Sequence, residues 1–400
     1  MAQDEVSPQQ FRAALEASAS VLGRFTGPEL FFQQNVALTA AGGPLRVNLP
    51  RTLNLNRPVA DIFISLRGRI TVTVGNYTAV APEALQNLLQ NIQIQGIHKD
   101  FGNITPIQMS GATAFLWPSM FQARGNGTSM VNNVYQQFPA GRPQVSNFLG
   151  TVGTYDFVVI WRIPVGPMLG QGQATKRQYT NFMWMAKDWN DTLQTQLTFG
   201  DASALGDPTG ATVAFTAFQS ATGSPIMAVH LNYSLLTQFE GLVRSGVVIR
   251  TEQPTAQQQT ALTTAAVLQT LQKQITTNLL IKSGTIQTAG LTGGIDTLAA
   301  LSDLQLDRTQ ITVDNKPVRN NQDNLVFKAD QEAYWNTLIA QGYFLMSFIE
   351  GQNALLAYRG DGLAGGSQFQ VQSDVIAASA NNRQRFIQEM VLGGPFPAQR

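Results

Sequence analysis

Cysteine is absent from the 400-residue chain, and histidine occurs only twice. The lack of cysteine excludes disulfides, thiolate nucleophiles and cysteine-based metal sites. His98 and His230 each stand alone in a strand-like segment, and neither has a neighbour at the spacing of a catalytic or metal-binding motif. We therefore interpret both histidines as structural, and the sequence predicts no catalytic residue, no cofactor, no metal site and no enzyme activity.

Charge is also scarce. Asp, Glu, Lys and Arg make up 13% of the residues, and the net charge is +1, whereas about a quarter of an average protein is charged. Because phosphate binding needs clustered basic residues and the chain has no basic block, the sequence predicts no direct, sequence-specific nucleic-acid binding. A neutral polar surface instead suits subunits that pack against copies of themselves, since little charge must be desolvated.

Long apolar runs are missing as well. The most apolar stretches, residues 157–168 and 338–349, are short and contain Arg162 and Gln341. A membrane-spanning helix needs about 20 consecutive apolar residues, so the sequence predicts no such span.

The clearest pattern that is present is a long alternation in residues 61–74, DIFISLRGRITVTV. Apolar residues occupy one parity and polar residues the other, with Phe63 as the large exception, which predicts a β-strand with one buried face. At roughly 3.3 Å per residue such a strand spans about 45 Å, which only a tall sandwich or barrel uses. Gly68 lies on the apolar parity, and we expect the strand pairing to continue past it.

An amphipathic helix is predicted for residues 7–24, where Ser7 and Pro8 form a typical helix start. Phe11, Leu15 and Leu22 then recur at helical spacing. Two interpretations remain open. The helix could dock on its own domain, or it could be an arm that contacts neighbouring subunits or a membrane surface.

Most of the remaining sequence predicts short strands separated by turns, which favours sandwiches or jelly rolls. The two halves also show the same order of elements, with a glycine-centred strand, a strand before a polar loop, an aromatic helical piece and an apolar strand in each. Residues 256–277 depart from this pattern and predict a helix, because they lack glycine and carry a stripe of leucines. The long loop at 119–154 suggests an assembly contact.

The segment 182–191, FMWMAKDWND, is the strongest candidate for a binding site. Trp184 and Trp189 could form a sugar-binding ledge, and Asp188 and Asp191 could act as a glycosidase pair. The interpretation that we favour is that the tryptophans anchor a loop or fill a subunit interface, where aromatic residues are enriched.

The order of these elements resembles a known family. The N-terminal helix, the long strand, the unit PEALQNLLQNIQIQ, the unit FVVIWRIPV and the closing TLQTQLTFG are similar to the first roll of the double jelly-roll major capsid proteins of tailless icosahedral double-stranded DNA phages, the tectivirus-like group. The resemblance implies an all-β fold with two tandem eight-stranded jelly rolls and a few short helices. The expected division is an arm at 1–25, a first roll at 26–238 and a second roll at 239–400.

The resemblance also implies a function. Such a chain would be a structural coat protein that forms pseudo-hexagonal homotrimers and an icosahedral virion shell, assembled in the host cytoplasm. The expected partners are neighbouring trimers, minor capsid or penton proteins and, through the N-terminal helix, an internal lipid membrane. The assembly contacts that we predict are Phe11, Leu15, Leu22, Trp184 and Trp189.

Two alternatives remain at this stage. A phage spike or tandem lectin-like protein would bind carbohydrate through Trp184 and Trp189. A β-sandwich enzyme acting on carbohydrate would use Asp188 or Asp191 with a distant carboxylate. Both explain the β content, but neither explains the repeated halves together with the N-terminal helix.

Overall fold

A computed structural model gives the fold of most of the chain. It describes residues 25–40, 45–49, 53, 57–81, 83–120, 129–131, 134–136, 148–166, 183–190, 193–234, 246–253, 257–268, 274–288, 297–300, 303–313, 316–335, 339, 341–347, 358–359 and 369–393. The predicted helix at 7–24, with Phe11, Leu15 and Leu22, lies outside these residues, as does most of the predicted loop at 119–154.

The first half of the described chain consists mainly of strands. They are β1 Phe25–Asn35, β2 Leu45–Asn48, β3 Val59–Val74, β4 Ala79–Val80, β5 Leu89–His98, β6 Gly102–Met109, β7 Ser129–Val131, β8 Val134–Gln136, β9 Gly153–Pro164, β10 Gln194–Phe199, β11 Gly206–Asp207, β12 Thr212–Thr216 and β13 Ile226–Ser234. The helix α1, Gly111–Met120, follows β6. Short 3-10 turns occur at Gln86–Leu88, Ala186–Asp188 and Ala202–Leu205.

The second half of the described chain also consists mainly of strands. Its strands are β14 Gly246–Glu252, β15 Gln257–Gln259, β16 Thr263–Leu268, β17 Gln274–Thr288, β18 Thr297–Ala300, β19 Leu306–Val313, β20 Lys316–Asp323, β21 Tyr343–Ser347, β22 Tyr358–Arg359, β23 Phe369–Val375 and β24 Ser379–Gly393. The helix α2, Asn324–Trp335, follows β20, and a 3-10 turn at Asp303–Gln305 precedes β19.

The long strand predicted from the alternation is present as β3. Its even-numbered residues from Ile62 to Val72 are buried, and β9 pairs with it from Asp61 to Val72 without a register shift. On the other side of β3, the partner changes from β13, which pairs as far as Arg67, to β12, which begins at Arg69. Gly68 lies at this change, where a Cβ atom would stand 2.9 Å from the Pro225 side chain. The missing side chain therefore makes room for a close neighbour while the pairing with β9 continues, as predicted.

The repetition that the sequence suggested is visible in the strand order. One sheet of the first half contains the order β2-β10-β5-β6, and a sheet of the second half runs β16-β23-β19-β20. Likewise, β3 pairs with β9 and β13, while β17 pairs with β21 and β24. In each half, a hairpin leads directly into a helix, α1 or α2. The predicted boundary at 238/239 falls within residues 235–245, outside the described part of the chain.

The predicted helix at 256–277 is wrong. The described residues of that segment form β15, β16 and the start of β17. The leucines gave a helical spacing, but Leu262 is exposed and Leu268 is buried, so they do not form one stripe. The run of Thr, Ala and Val at 263–267 pairs along β23, and its β-branched Thr and Val residues favour a strand over a helix.

Each half has an apolar core, and the two halves are joined. The second core gathers residues from β16, β17, β19, β21, β23, β24 and α2. The larger first core also includes Leu280, Leu345 and Ile387 from the second half. In addition, β14 pairs in parallel with β6, so that one sheet runs through both halves.

Neither α1 nor α2 has the length and apolar character that crossing a membrane requires, and no other described helix does.

Candidate functional site: the junction between the two halves

The edge where β14 meets β6 carries a group of buried charged side chains, which we call the junction. Glu252 lies on β14 and is fully buried. Its carboxylate accepts hydrogen bonds from the backbone N–H of Ser110 at 2.7 Å and from the Ser110 hydroxyl at 2.9 Å. Arg385 of β24 donates to the same carboxylate at 3.2 Å. Glu252 therefore ties the start of α1 in the first half to the second half.

Arg250, two residues earlier on the same strand, makes the second connection. Its Nε donates to Glu389 at 2.8 Å, and its two terminal nitrogens donate to the backbone carbonyls of Pro164 and Gly166. Glu389 also accepts hydrogen bonds from Thr277 and Asn278, at 2.8 and 2.7 Å. A buried guanidinium thus links β24 with the end of β9, and its donors are directed at fixed acceptors.

The third connection joins Glu83 of the first half to Lys282 and Tyr343 of the second. Lys282 Nζ lies 3.5 Å from the Glu83 carboxylate, and the Tyr343 hydroxyl donates to that carboxylate at 3.3 Å. Burial raises the pKa of Tyr343 well above its ordinary value, and the nearby carboxylate of Glu83 raises it further. The phenol therefore remains protonated and keeps its role as a donor.

The chemistry of the junction is structural. Three carboxylates face three cations, and all six side chains are at most 7% exposed. Among the described residues no group of acidic and histidine side chains could hold a metal ion. A buried ion pair adds little net stability compared with apolar packing, but separating its partners leaves buried charges uncompensated and is strongly unfavourable. The junction therefore fixes how one half is placed against the other.

The tryptophan cluster is buried and does not lie at the surface, where a sugar-binding site would need it. Trp184 and Trp189 are 1% and 2% exposed and belong to the first core. Their rings pack edge to face, with centroids 5.8 Å apart. Backbone hydrogen bonds join Trp184 to Val59, at the start of β3, and Asn190 to Ile97, near the end of β5. The loop is thus anchored across two strands.

This burial corrects part of the prediction. Buried indole rings cannot stack on a sugar, and they have almost no surface left for a second subunit. We therefore assign Trp184 and Trp189 to packing within the chain rather than to assembly contacts. Asp188 is half-buried within this loop, and Asp191 lies outside the described residues.

His98 belongs to the same cluster. It is 1% exposed, stacks on Phe101 with centroids 4.7 Å apart, and meets the edge of Trp189 at 5.1 Å. Its Nδ1 accepts a hydrogen bond from the backbone N–H of Asp100. Burial lowers the pKa of His98 below 6.5, although Asp188 and Asp100 act in the opposite direction. The imidazole is therefore held in its neutral form.

We expect acid to destabilise the protein in part through His98. The unfolded chain gains this proton near pH 6.5, whereas the folded chain resists it until the pH is lower. The free energy of unfolding should therefore fall as the pH drops through this window, since the unfolded state binds more protons. Urea denaturation at about pH 8 and about pH 5 measures this slope.

The matched variant is His98→Asn, whose side-chain oxygen can replace Nδ1 as the acceptor. Its unfolding free energy should depend less on pH than that of the wild type. His230→Asn is the comparison at a less buried histidine. Burial and Arg67 also lower the pKa of His230, but because it is more exposed, its replacement should change the pH dependence less. If the unfolding free energies of wild type and His98→Asn changed equally with pH, the neutral, buried state assigned to His98 would be contradicted.

Comparisons by sequence match neither a family model nor a curated protein. Comparison of the fold gives full-length similarities. The STIV MCP is 15% identical, with a TM-score of 0.51 over 94% of this chain and 98% of that chain. The PBCV-1 virus capsid, a quasi-atomic model, is 12% identical, with a TM-score of 0.51 over 94% and 97%. The atomic structure of Sulfolobus Turreted Icosahedral Virus contains a chain 14% identical, with a TM-score of 0.50 over 91% of both chains.

The chain has the double jelly-roll fold. Its two rolls are the repeated sheets described above, and both are needed for a similarity that extends over nine tenths of each chain. The all-β fold class inferred from the sequence is therefore confirmed. The junction is the place where the first roll meets the second in this double jelly roll.

Sequence reasoning missed the junction. Arg250, Glu252, Arg385 and Glu389 look like ordinary charges on alternating strands, and their partners are distant in sequence. One signal was available. Arg250 and Glu252 stand in a segment whose neighbours, Val247, Val248 and Ile249, are all apolar, and charges inside such a strand need partners. The identity of those partners depends on strand register, which a single sequence does not give.

Proposed function

We propose that this chain is the major capsid protein of an icosahedral virus. The observation that carries the proposal is the match of the whole double jelly roll, both rolls together, to a PBCV-1 virus capsid protein and to the STIV MCP. The low charge of the chain supports it, because a shell built from many copies buries a large surface, and few ions then need to be desolvated. The protein would act by self-assembly and not as an enzyme.

In the proposed assembly, three copies form a cyclic homotrimer whose six rolls make a pseudo-hexagonal tile. Cyclic closure uses two different surfaces of each chain, one on either side. Many weak contacts between tiles then stabilise the shell together, while each contact remains reversible. The chain would reside in the virion after assembly in the host cytoplasm.

Further partners are proposed on the same basis. Neighbouring trimers would meet at the tile edges, and minor capsid or penton proteins would fill the vertices. The amphipathic segment 7–24 would contact neighbouring trimers or an internal lipid membrane through Phe11, Leu15 and Leu22.

The solution mass of the purified protein tests the proposal. We expect size-exclusion chromatography with light scattering to give a mass close to three times the 43.4 kDa of one chain. A strict monomer at high concentration would contradict a trimeric capsid protein.

A further inference from the structure

One corner of the second roll exposes an unusual amount of apolar surface. Leu262, Leu304, Leu325, Val326 and Ile376 are between 41% and 68% exposed, and we call them the second-roll corner. Backbone hydrogen bonds bring three of their segments together, since Leu262 O accepts from Val375 and Gln305 O accepts from Ile376. The ion pair between Asp303 and Lys328, at 2.9 Å, holds the start of α2 to the same place. Clustered exposed apolar side chains mark interaction surfaces.

The surroundings of the second-roll corner are acidic. Asp307, Asp323 and Asp374 lie beside it at the surface, and Arg308 is the exposed cation among them. Asp323 accepts hydrogen bonds from the first turn of α2, and Asp374 accepts one from Thr263. None of these hydrogen bonds neutralises a carboxylate. A partner of this corner should therefore offer apolar side chains together with a positive charge.

The first roll carries such a surface on the outer side of the sheet that contains β3. The strand register places Leu30, His230, Phe63 and Arg162 in one row, and Ser65 and Ile160 in the next. Arg67 follows, flanked by Val158 and Ile226. Leu30 is 58% exposed and Ile160 is 36% exposed. We call this the first-roll face.

The charge of the first-roll face is positive. Arg162 is paired with Asp61 at 3.0 Å, and Arg69 with Asp156 at 2.8 Å. Within the part of the chain that the structure describes, Arg67 is exposed and has no carboxylate partner. The surplus cation is therefore Arg67, and it lies between apolar neighbours.

We propose that the second-roll corner of one chain docks on the first-roll face of another copy. The apolar side chains would cover each other, and Arg67 would meet the acidic residues around the corner. A contact between two corners would bring acids together, and a contact between two faces would bring two Arg67 side chains together, so both are disfavoured. The contact joins unlike surfaces and can close into a ring. The proposal rests on the proposed function and adds the surfaces that form the trimer.

Because the chain contains no cysteine, the proposed contact between the second-roll corner and the first-roll face can be tested by cross-linking introduced cysteines. The variant Ile160→Cys/Val326→Cys carries one thiol on each surface, and a short bifunctional maleimide is added to the purified, trimeric protein. We expect covalent dimers and trimers on a denaturing gel. Each single variant should remain monomeric on that gel, because unlike surfaces supply only one thiol per contact. The control is Val74→Cys/Val326→Cys, with Val74 at the exposed end of β3, and it should not cross-link.

The outcomes separate the two proposals. If wild-type protein is a monomer by light scattering, the capsid proposal fails. If it is a trimer but the double variant gives no covalent species, or Val326→Cys alone gives dimers, only the docking surfaces are overturned. Charge reversal provides a second measurement. Arg67→Glu should weaken trimer association at least about tenfold, and an unchanged association constant would also count against the proposal.

Discussion

Replacing Glu389 with glutamine should lower the free energy of unfolding by about 3–5 kcal/mol, the range measured when one partner of a buried ion pair is removed. The variant leaves the Arg250 guanidinium buried without its counter-charge, because Arg250 is 0% exposed and has no access to water. The glutamine amide also places a donor either against Arg250 or where Glu389 accepts from Thr277 and Asn278. Urea or thermal denaturation of the purified protein measures the loss.

Two controls separate burial from charge alone. Asp156→Asn breaks a bidentate pair with Arg69 that is partly exposed, and it should destabilise the protein much less. Arg250→Met/Glu389→Leu removes both charges of this one pair and should be less destabilised than Glu389→Gln. A Glu389→Gln protein as stable as Asp156→Asn would show that the junction does not hold the two rolls in place.

Deletion of residues 1–24 should leave a folded trimer that no longer forms shells. These residues precede β1, and every strand of the described first roll remains in the truncated chain. The expected loss is complete, because a shell needs contacts between tiles and the segment 7–24 is the predicted source of such contacts. Light scattering reports the trimer, and electron microscopy of assembly reactions reports the particles.

A finer version of the experiment keeps the full length. Changing Phe11, Leu15 and Leu22 to serine removes the apolar side of the predicted helix, and should block assembly as the deletion does. Changing Arg12 and Glu16 to alanine alters the polar side and should leave particles intact. Normal particles from the truncated chain would refute the role of the arm.

Much of the fold could be inferred from one sequence because alternation is a local signal. The alternation of apolar and polar residues in β3 predicts both a strand and its buried face, and this prediction needs no knowledge of the neighbouring strands. The repeated order of elements was visible for the same reason, since each hairpin and helix has its own local pattern. The failure at residues 256–277 shows the limit. Alanine and leucine allow both structures, and only the pairing of β16 with β23 decides between them.

The candidate site was harder to infer because it depends on contacts between distant residues. The tryptophans at 184 and 189 looked like a binding surface, yet they pack on strands that are about a hundred residues earlier in the chain. The junction joins residues 83, 110 and 164 to residues 282, 252 and 250, respectively. Neither composition nor periodicity contains that information.

The sheet that passes through both rolls also has a mechanical consequence. A force on one roll is transmitted to the other through the hydrogen bonds between β14 and β6, and through the ion pairs beside them. Two rolls joined only by a flexible linker would swivel under the same load. The chain should therefore deform as one stiff unit. In the proposed shell, each subunit would carry a pressure difference, and the contacts between subunits would yield first.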